Sequence, residues 1–452
     1  MDKKKEKIII WLIVIVSILR ILSVFTISNN DLIYDEATHM NIARGLLEGI
    51  DYGYMNGEYS EAQRPPLQPL ILIPFFALFG ISEFVARSVS AIFGVLSIVV
   101  VYFLGKRLYN REVGLYSSFI LAVNPMHWFY SSKALVEGIL IFFIILFLYV
   151  FYSSFKDKRY LVPAGFLLSI IFLTKYTGGA VAIFFILFIL IWKRDLLKSR
   201  YFYLSIIVAL LTITPWISFN LRIFGEPFGG ANFLFAKGVE VSEANLLLNF
   251  YSFYIFDAVI MAALFLPFML GGFYFMFRDK DKNFFPFILF FLLFIIPISV
   301  MAVKRARYLL PVLPVLTVAT AYCFMKLKTL KISGIKFEKY LIPLVIVLVV
   351  GSGIITVYGF DNYPRSHRFK SVPEAGKYLQ ENCMDKKIYS NSYTYVWWYT
   401  HKEGYDLGDV DFQEKNVCVF YDFFYASNEF EYDLDTHFET VIDKGGLKVY
   451  KN

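Results

Sequence analysis

The chain opens Met1-Asp-Lys-Lys-Lys-Glu-Lys7, runs straight into the apolar stretch Ile8–Ser28, and soon afterwards reads Tyr34-Asp35-Glu36-Ala37-Thr38-His39. A charged head on an apolar core has the outline of a signal peptide. Here the core is too long and no small-residue cleavage site follows, so 8–28 reads as an uncleaved first span. Crossing ~30 Å of hydrocarbon takes about 20 apolar residues in a helix. Asp35 and Glu36 then stand at the water end of that span. A carboxylate at this depth suits the deprotonation of an alcohol beside a lipid-borne leaving group.

The remainder of the chain repeats the pattern. Of 452 residues, 58% are hydrophobic and 19% aromatic, and the mean hydropathy is +0.56. Soluble domains are nearer 45–50% apolar, so the reading is an all-α polytopic membrane protein. About eleven segments are long enough to be spans: 8–28, 85–105, 113–129, 138–154, 160–174, 177–192, 201–221, 253–277, 284–303, 308–325 and 338–358. The net charge of +7 is not a nucleic-acid footprint, because the basic residues sit in short loops between spans. The three cysteines, Cys323, Cys383 and Cys418, have no metal-site spacing. Cys383 and Cys418 share the tail, where they could form a disulfide or remain two thiols.

Alternate connections are short and basic, among them Lys106, Arg107 and Arg111, and Lys193, Arg194, Lys198 and Arg200. The positive-inside rule puts these in the cytoplasm. A multi-pass plasma-membrane protein follows, with its N-terminus cytoplasmic and the tail after 358 extracytoplasmic. The apolar run Pro66–Gly80 would reverse every later assignment if it crossed. It is short and rich in proline, and reads as a helix lying at or dipping into the outer interface. Residues 29–84 become one large acidic outer loop. Two domains are expected, a transmembrane domain over 1–360 and a soluble extracytoplasmic α/β domain over 361–452.

A few cations break the charge rule. Lys175 falls in a short turn on the outer face, and Lys304, Arg305 and Arg307 cluster just before Tyr308-Leu-Leu-Pro311. Cations at an outer boundary suit an anion such as a lipid phosphate; alternatively, they snorkel to headgroups. Glu137 sits at the outer mouth of the fourth span, where a carboxylate needs water or a partner. Lys133, one turn away, could be that partner.

Taken in order, the residues resemble a known family. The set is Asp35-Glu36 after the first span, Arg64-Pro65-Pro66-Leu67, Phe84-Val-Ala-Arg87-Ser-Val-Ser, Gly105–Gly114, Glu137, Leu173-Thr-Lys175 and Lys304-Arg-Ala-Arg307-Tyr-Leu-Leu-Pro311. It is similar to the C-type lipid-linked-sugar glycosyltransferases, in the branch holding protein O-mannosyltransferases and lipid A aminoarabinose transferases. The resemblance covers about residues 8–325 and lies in the ordered set rather than in one motif. It implies an inverting transfer of a hexose or pentose from a polyprenyl or dolichyl phosphate to a lipid, glycan or protein on the outer face. Carried over, Asp35 is the base or acceptor-positioning carboxylate, Glu36 its neighbour and Glu137 a second acid. Lys175, Lys304 and Arg307 hold the donor phosphate, with Tyr34, His39, Arg64 and Tyr308 lining the substrate site. Many members have Asp where this chain has Glu137, and no outer loop here is long enough for the β-trefoil of the mannosyltransferases.

The chemistry agrees with the residues alone: a preassembled donor needs a base and positive charge for the departing phosphate. No Gly-rich phosphate loop appears. These parts point to no particular cofactor; Asp35, Glu36 and His39, with His39 at i+4 from Asp35, could hold a divalent metal. In the tail, Pro373–Asn382 reads as a helix, and Lys387–Asn391, Asn416–Tyr421 and Leu447–Tyr450 read as strands. Trp397 and Trp398 could stack on sugars or pack into the core. The competing function is a transporter or flippase of lipid-linked glycans. It should show repeat symmetry and broken helices near the bilayer midplane; here the polar residues gather at one face and no internal repeat is seen.

Overall fold

The computed structural model describes residues 3–27, 31–232, 265–300, 306–329, scattered positions between 331 and 354, 366–422, 428–444 and 446–451. The helices are α1 (Lys3–Ile27), α2 (Tyr34–Leu47), α3 (Leu67–Phe79), α4 (Glu83–Leu108), α5 (Arg111–Val123), α6 (Pro125–Ser131), α7 (Val136–Ser153), α8 (Leu161–Thr174), α9 (Gly179–Trp192), α10 (Arg200–Phe224), α11 (Leu266–Arg278), α12 (Phe284–Val300), α13 (Leu313–Thr329), α14 (Ser366–Asn382), α15 (Tyr393–Thr400) and α16 (Asn428–His437). They divide between two compact units. One is Met1–Ser23, Arg64–Gln68 and Ser88–Gly359; the other is Val24–Gln63, Pro69–Arg87 and Phe360–Asn452.

Five helices of the described residues are long and apolar enough to cross a membrane: Glu6–Phe25, Glu83–Leu108, Val136–Ser153, Arg200–Phe224 and Arg307–Thr329. Other expected spans are shorter; α8 and α9 have 14 residues each, about 21 Å at the helical rise. The segment 113–129 is not one helix. Asn124 ends α5 and caps α6, its Oδ1 accepting from His127 N–H at 2.9 Å, and Pro125 takes the first helical position. An Asn cap followed by proline outweighs continuous hydropathy. Pro66–Gly80 does form a helix, α3, with Pro74 inside it. The expected span 338–358 and the first part of 253–277 lie largely outside the described residues.

Close packing in the first unit depends on small residues. A Cβ on Gly165 of α8 would lie 2.2 Å from the Ser205 carbonyl of α10, and Ser169 Oγ donates to Ala209 O at 2.9 Å beside it. α5 and α11 both pack on α13. Arg20, buried inside α1, donates to the carbonyls of Leu121 (3.3 Å) and Ala122 (3.1 Å) and to Ser131 Oγ (2.7 Å). Its second terminal nitrogen also lies 2.7 Å from His127 Nδ1. A guanidinium this deep is tolerable only when its donors are used up, and this one fastens the α5–α6 break to α1.

In the second unit, β3 (Lys387–Ser390), β4 (Tyr405–Asp406), β5 (Val417–Asp422), β6 (Glu439–Lys444) and β7 (Leu447–Lys451) form a sheet in the order β4-β3-β5-β7-β6. A two-residue hairpin, β1 (Lys331–Ile332) with β2 (Ile335–Lys336), belongs to the first unit. β3 runs parallel to β4 and β5, and β7 antiparallel to β5 and β6. The three expected strands are present. β6, Glu439-Thr-Val-Ile-Asp-Lys444, escaped the sequence reading because a charged edge strand shows no buried face. The tail helix starts at Ser366, ahead of the expected Pro373, which sits inside it. Cys383 and Cys418 are joined as a disulfide, with Cα atoms 6.1 Å apart.

The α8–α10 contact gives a direct test. Gly165→Ala should lower the thermal midpoint and the yield of monodisperse protein in detergent, because the new methyl meets backbone. Gly179→Ala, whose Cβ would meet only Phe172 at 3.8 Å, should leave both within error.

Candidate active site

In the first unit, the site residues gather around Glu137. It lies in the first turn of α7, where the helix dipole favours an anion, and its side chain is 1% exposed. Lys175 Nζ is 2.9 Å from Glu137 Oε1, and Arg307 Nε is 3.8 Å from the same oxygen. Lys175 gets there because α8 ends at Thr174, Lys175 is extended, and one turn over Tyr176–Gly178 starts α9. The hairpin is tight: a Cβ on Gly178 would fall 2.5 Å from the Ile171 side chain. Arg307 comes from a 3₁₀ segment over Ala306–Val312 leading into α13. The Tyr308 ring lies beneath both cations, its centroid 5.1 Å from Lys175 Nζ and 5.8 Å from Arg307 Cζ. Lys133 Nζ sits 5.7 Å from the Phe129 ring centroid.

Both cations retain some exposure, 20% for Lys175 and 14% for Arg307. Lys304 and Arg305 lie outside the described residues. Arg64 belongs to this unit, in the turn before α3.

In the second unit, α2 separates the two adjacent acids. Neighbouring helical residues point about 100° apart, and here Glu36 is buried while Asp35 is half-buried. Arg87 Nε donates to Glu36 Oε1 at 2.8 Å and Arg87 Nη2 to Oε2 at 2.9 Å. Arg87 Nη2 also donates to the Asp31 carbonyl at 2.7 Å. Glu36 Oε2 accepts from Ile33 N–H at 3.1 Å, closing the first turn of α2. Tyr34 OH donates to Glu61 Oε1 at 2.9 Å, so its hydroxyl is engaged within the unit. His39 is buried in α2. With Glu36 clasped by a bidentate guanidinium, the trio Asp35, Glu36 and His39 does not fit a metal. Among the described residues no group of three or more His, Cys, Asp or Glu side chains could hold one.

Arg20 and Arg87 were not singled out as site or support residues by the sequence reading. Arginine within or at the end of an apolar run is the available signal; the partners, 51 residues away for Arg87 and Glu36, are not visible.

Comparison with known proteins agrees with this architecture. Residues 63–219 match the family described as dolichyl-phosphate-mannose-protein mannosyltransferase. An uncharacterized protein of Aquifex aeolicus is 27% identical over 236 residues, 52% of this chain and 53% of its own length. The chain thus spans about half the length of that curated relative. ArnT from Cupriavidus metallidurans, solved in the apo state, superposes with a TM-score of 0.71 over 98% of this chain and 97% of its own, at 14% identity. A structure of the same protein bound to undecaprenyl phosphate gives 0.69 over the same shares, at 15% identity. The archaeal oligosaccharyltransferase AglB of Archaeoglobus fulgidus, in complex with an inhibitory peptide and a dolichol-phosphate, gives 0.60 over 93% of this chain and 70% of its own, at 13% identity. The fold is that of the C-type glycosyltransferases, and the resemblance expected from the ordered motifs holds.

The Glu36–Arg87 pair makes a clear prediction. Arg87→Met leaves a buried carboxylate uncompensated and should destabilise by about 3–5 kcal/mol, read as a large drop in thermal midpoint. The double variant Glu36→Leu with Arg87→Met should recover most of that loss.

Proposed function

We propose that this chain transfers a sugar from a polyprenyl- or dolichyl-phosphate donor to an acceptor hydroxyl at the outer membrane face, inverting the anomeric carbon. The observation that carries the reading is the Lys175–Arg307 pair gathered on the buried Glu137 over Tyr308. Asp35 is the base: it accepts the acceptor's proton as the new C1–O bond forms. The C1–O bond to phosphate breaks, and its electron pair leaves with the lipid phosphate. That phosphate passes from a diester with one negative charge to a monoester approaching two. Lys175 and Arg307 therefore hold it more tightly as the bond breaks, which is what lowers the barrier. Lys304 joins them, and Arg64 and Tyr308 complete the donor side. Glu137 serves as the resting counter-ion that keeps both cations extended toward the phosphate. Glu36 orients α2 through Arg87 rather than taking a proton, and Tyr34 and His39 support that helix.

The orientation has support of its own. A disulfide between Cys383 and Cys418 suits an oxidising compartment, in keeping with an extracytoplasmic tail and a cytoplasmic N-terminus. A cysteine at Ser366 should react with an impermeant thiol reagent in intact cells, whereas one at Asn110 should not. The reverse pattern would put Asp35 inside and end the outer-face mechanism.

Three variants test the chemistry in purified protein. Asp35→Asn should abolish transfer while expression is unchanged, and wild-type turnover would remove Asp35 as the base. Arg307→Ala should weaken donor binding roughly tenfold to a hundredfold, the worth of a charge-assisted contact of about 1.5–3 kcal/mol. Arg307→Lys should recover part of it, since charge is kept but the two-pronged grip is lost.

A further inference from the structure

The short helix α15 grips α2 and the residues just before it, at positions on either side of Asp35 in sequence. Asn41 Nδ2 donates to the Thr394 carbonyl at 2.8 Å, and Tyr395 OH donates to the Leu32 carbonyl at 3.3 Å. The Tyr395 ring meets Tyr34 edge-on, with centroids 5.7 Å apart. Leu32, Asn41, Thr394 and Tyr395 are all buried. Farther along α15, Trp398 Nε1 and Tyr399 OH both donate to Glu83 Oε1, at 3.1 and 3.2 Å. α14 supports the helix from behind: a Cβ on Gly376 would lie 2.1 Å from the Tyr399 ring.

The choice of Asn41 is informative. Its Oδ1 is buried with no hydrogen-bond partner among the described residues. An unsatisfied buried acceptor is destabilising, and an apolar side chain would avoid it. What the amide supplies is register, a donor aimed at the Thr394 carbonyl, as single buried polar groups do elsewhere.

We propose that α15, through Asn41–Thr394 and Tyr395–Leu32, is a positioning element for Asp35, so that the C-terminal segment sets the carboxylate's place on the acceptor side. This rests on Asp35 being the base. Its consequence is specific. Displacing a catalytic carboxylate by about 1 Å can reduce the rate a hundredfold, while the cations assigned to the donor phosphate are untouched. Loss of the grip therefore lowers kcat and spares the donor KM.

The test is steady-state kinetics and thermal midpoints for the full-length purified protein and five variants. Asn41→Leu should lower kcat roughly tenfold to a hundredfold with donor KM changed less than about twofold. Tyr395→Phe should act in the same sense but less, and Asn41→Gln should regain part of kcat. Val449→Ala, in the buried core of β7, should lower the midpoint with kcat unchanged. Wild-type kcat in Asn41→Leu, or kcat falling in step with the midpoint in both Asn41→Leu and Val449→Ala, would overturn the positioning role. If Asp35→Asn is inactive in that case, the assignment of the base survives. Wild-type turnover by Asp35→Asn would instead sink both.

Discussion

Glu137 keeps its charge almost out of reach of water, and Lys175 and Arg307 help to make that tolerable. A buried carboxylate without partners would lose several kcal/mol or take up a proton. Lys175 and Arg307 come from chain segments far apart in sequence, yet both reach the same oxygen at 2.9 and 3.8 Å. Much of the first unit's local design follows from that meeting. α8 must stop at Thr174, the turn after it must be tight enough to need Gly178, and the chain must stay 3₁₀ from Ala306 before α13 can begin.

The second unit solves the same electrostatic problem to a different end. There Arg87 takes both oxygens of Glu36, which uses up one acid and leaves Asp35, its neighbour, half-buried. Two adjacent acids thus do two jobs. Glu36 is paired inside the unit; the proposed mechanism gives the proton transfer to Asp35. The same division holds for the arginines: Arg20 is spent on backbone carbonyls and a hydroxyl, whereas Arg307 keeps part of its surface exposed.

Much of this was legible in the sequence, for physical reasons. Hydropathy marks α1, α4, α7, α10 and α13, since length and apolar content are all that a span requires. The ordered motifs singled out Glu137, Lys175 and Arg307, which the structure brings together, because charge at a membrane boundary needs a reason. The break at Asn124 was hidden by unbroken hydropathy around it, although Asn followed by Pro is a recognisable cap. The partners of Arg20 and Arg87 were hidden because pairing across tens of residues leaves no local trace. Lys175 and Arg307, which reach Glu137 from the α8–α9 turn and the segment before α13, lie too far from it in sequence for the pairing to leave a local trace. β6 was missed since its exposed, charged residues give no alternation.

The central claim is that energy and sugar both come from a lipid phosphate, cleaved at the sugar's C1–O bond. The most direct measurement is on purified protein in liposomes supplied with undecaprenyl-phosphate sugar labelled in the sugar. Release of free undecaprenyl phosphate and its stoichiometry with label leaving the lipid are followed together. The account predicts matched release, lost in Asp35→Asn, with a nucleotide sugar giving none. Movement of the intact lipid-linked sugar across the bilayer without release of the carrier, or turnover of the nucleotide sugar instead, would contradict it.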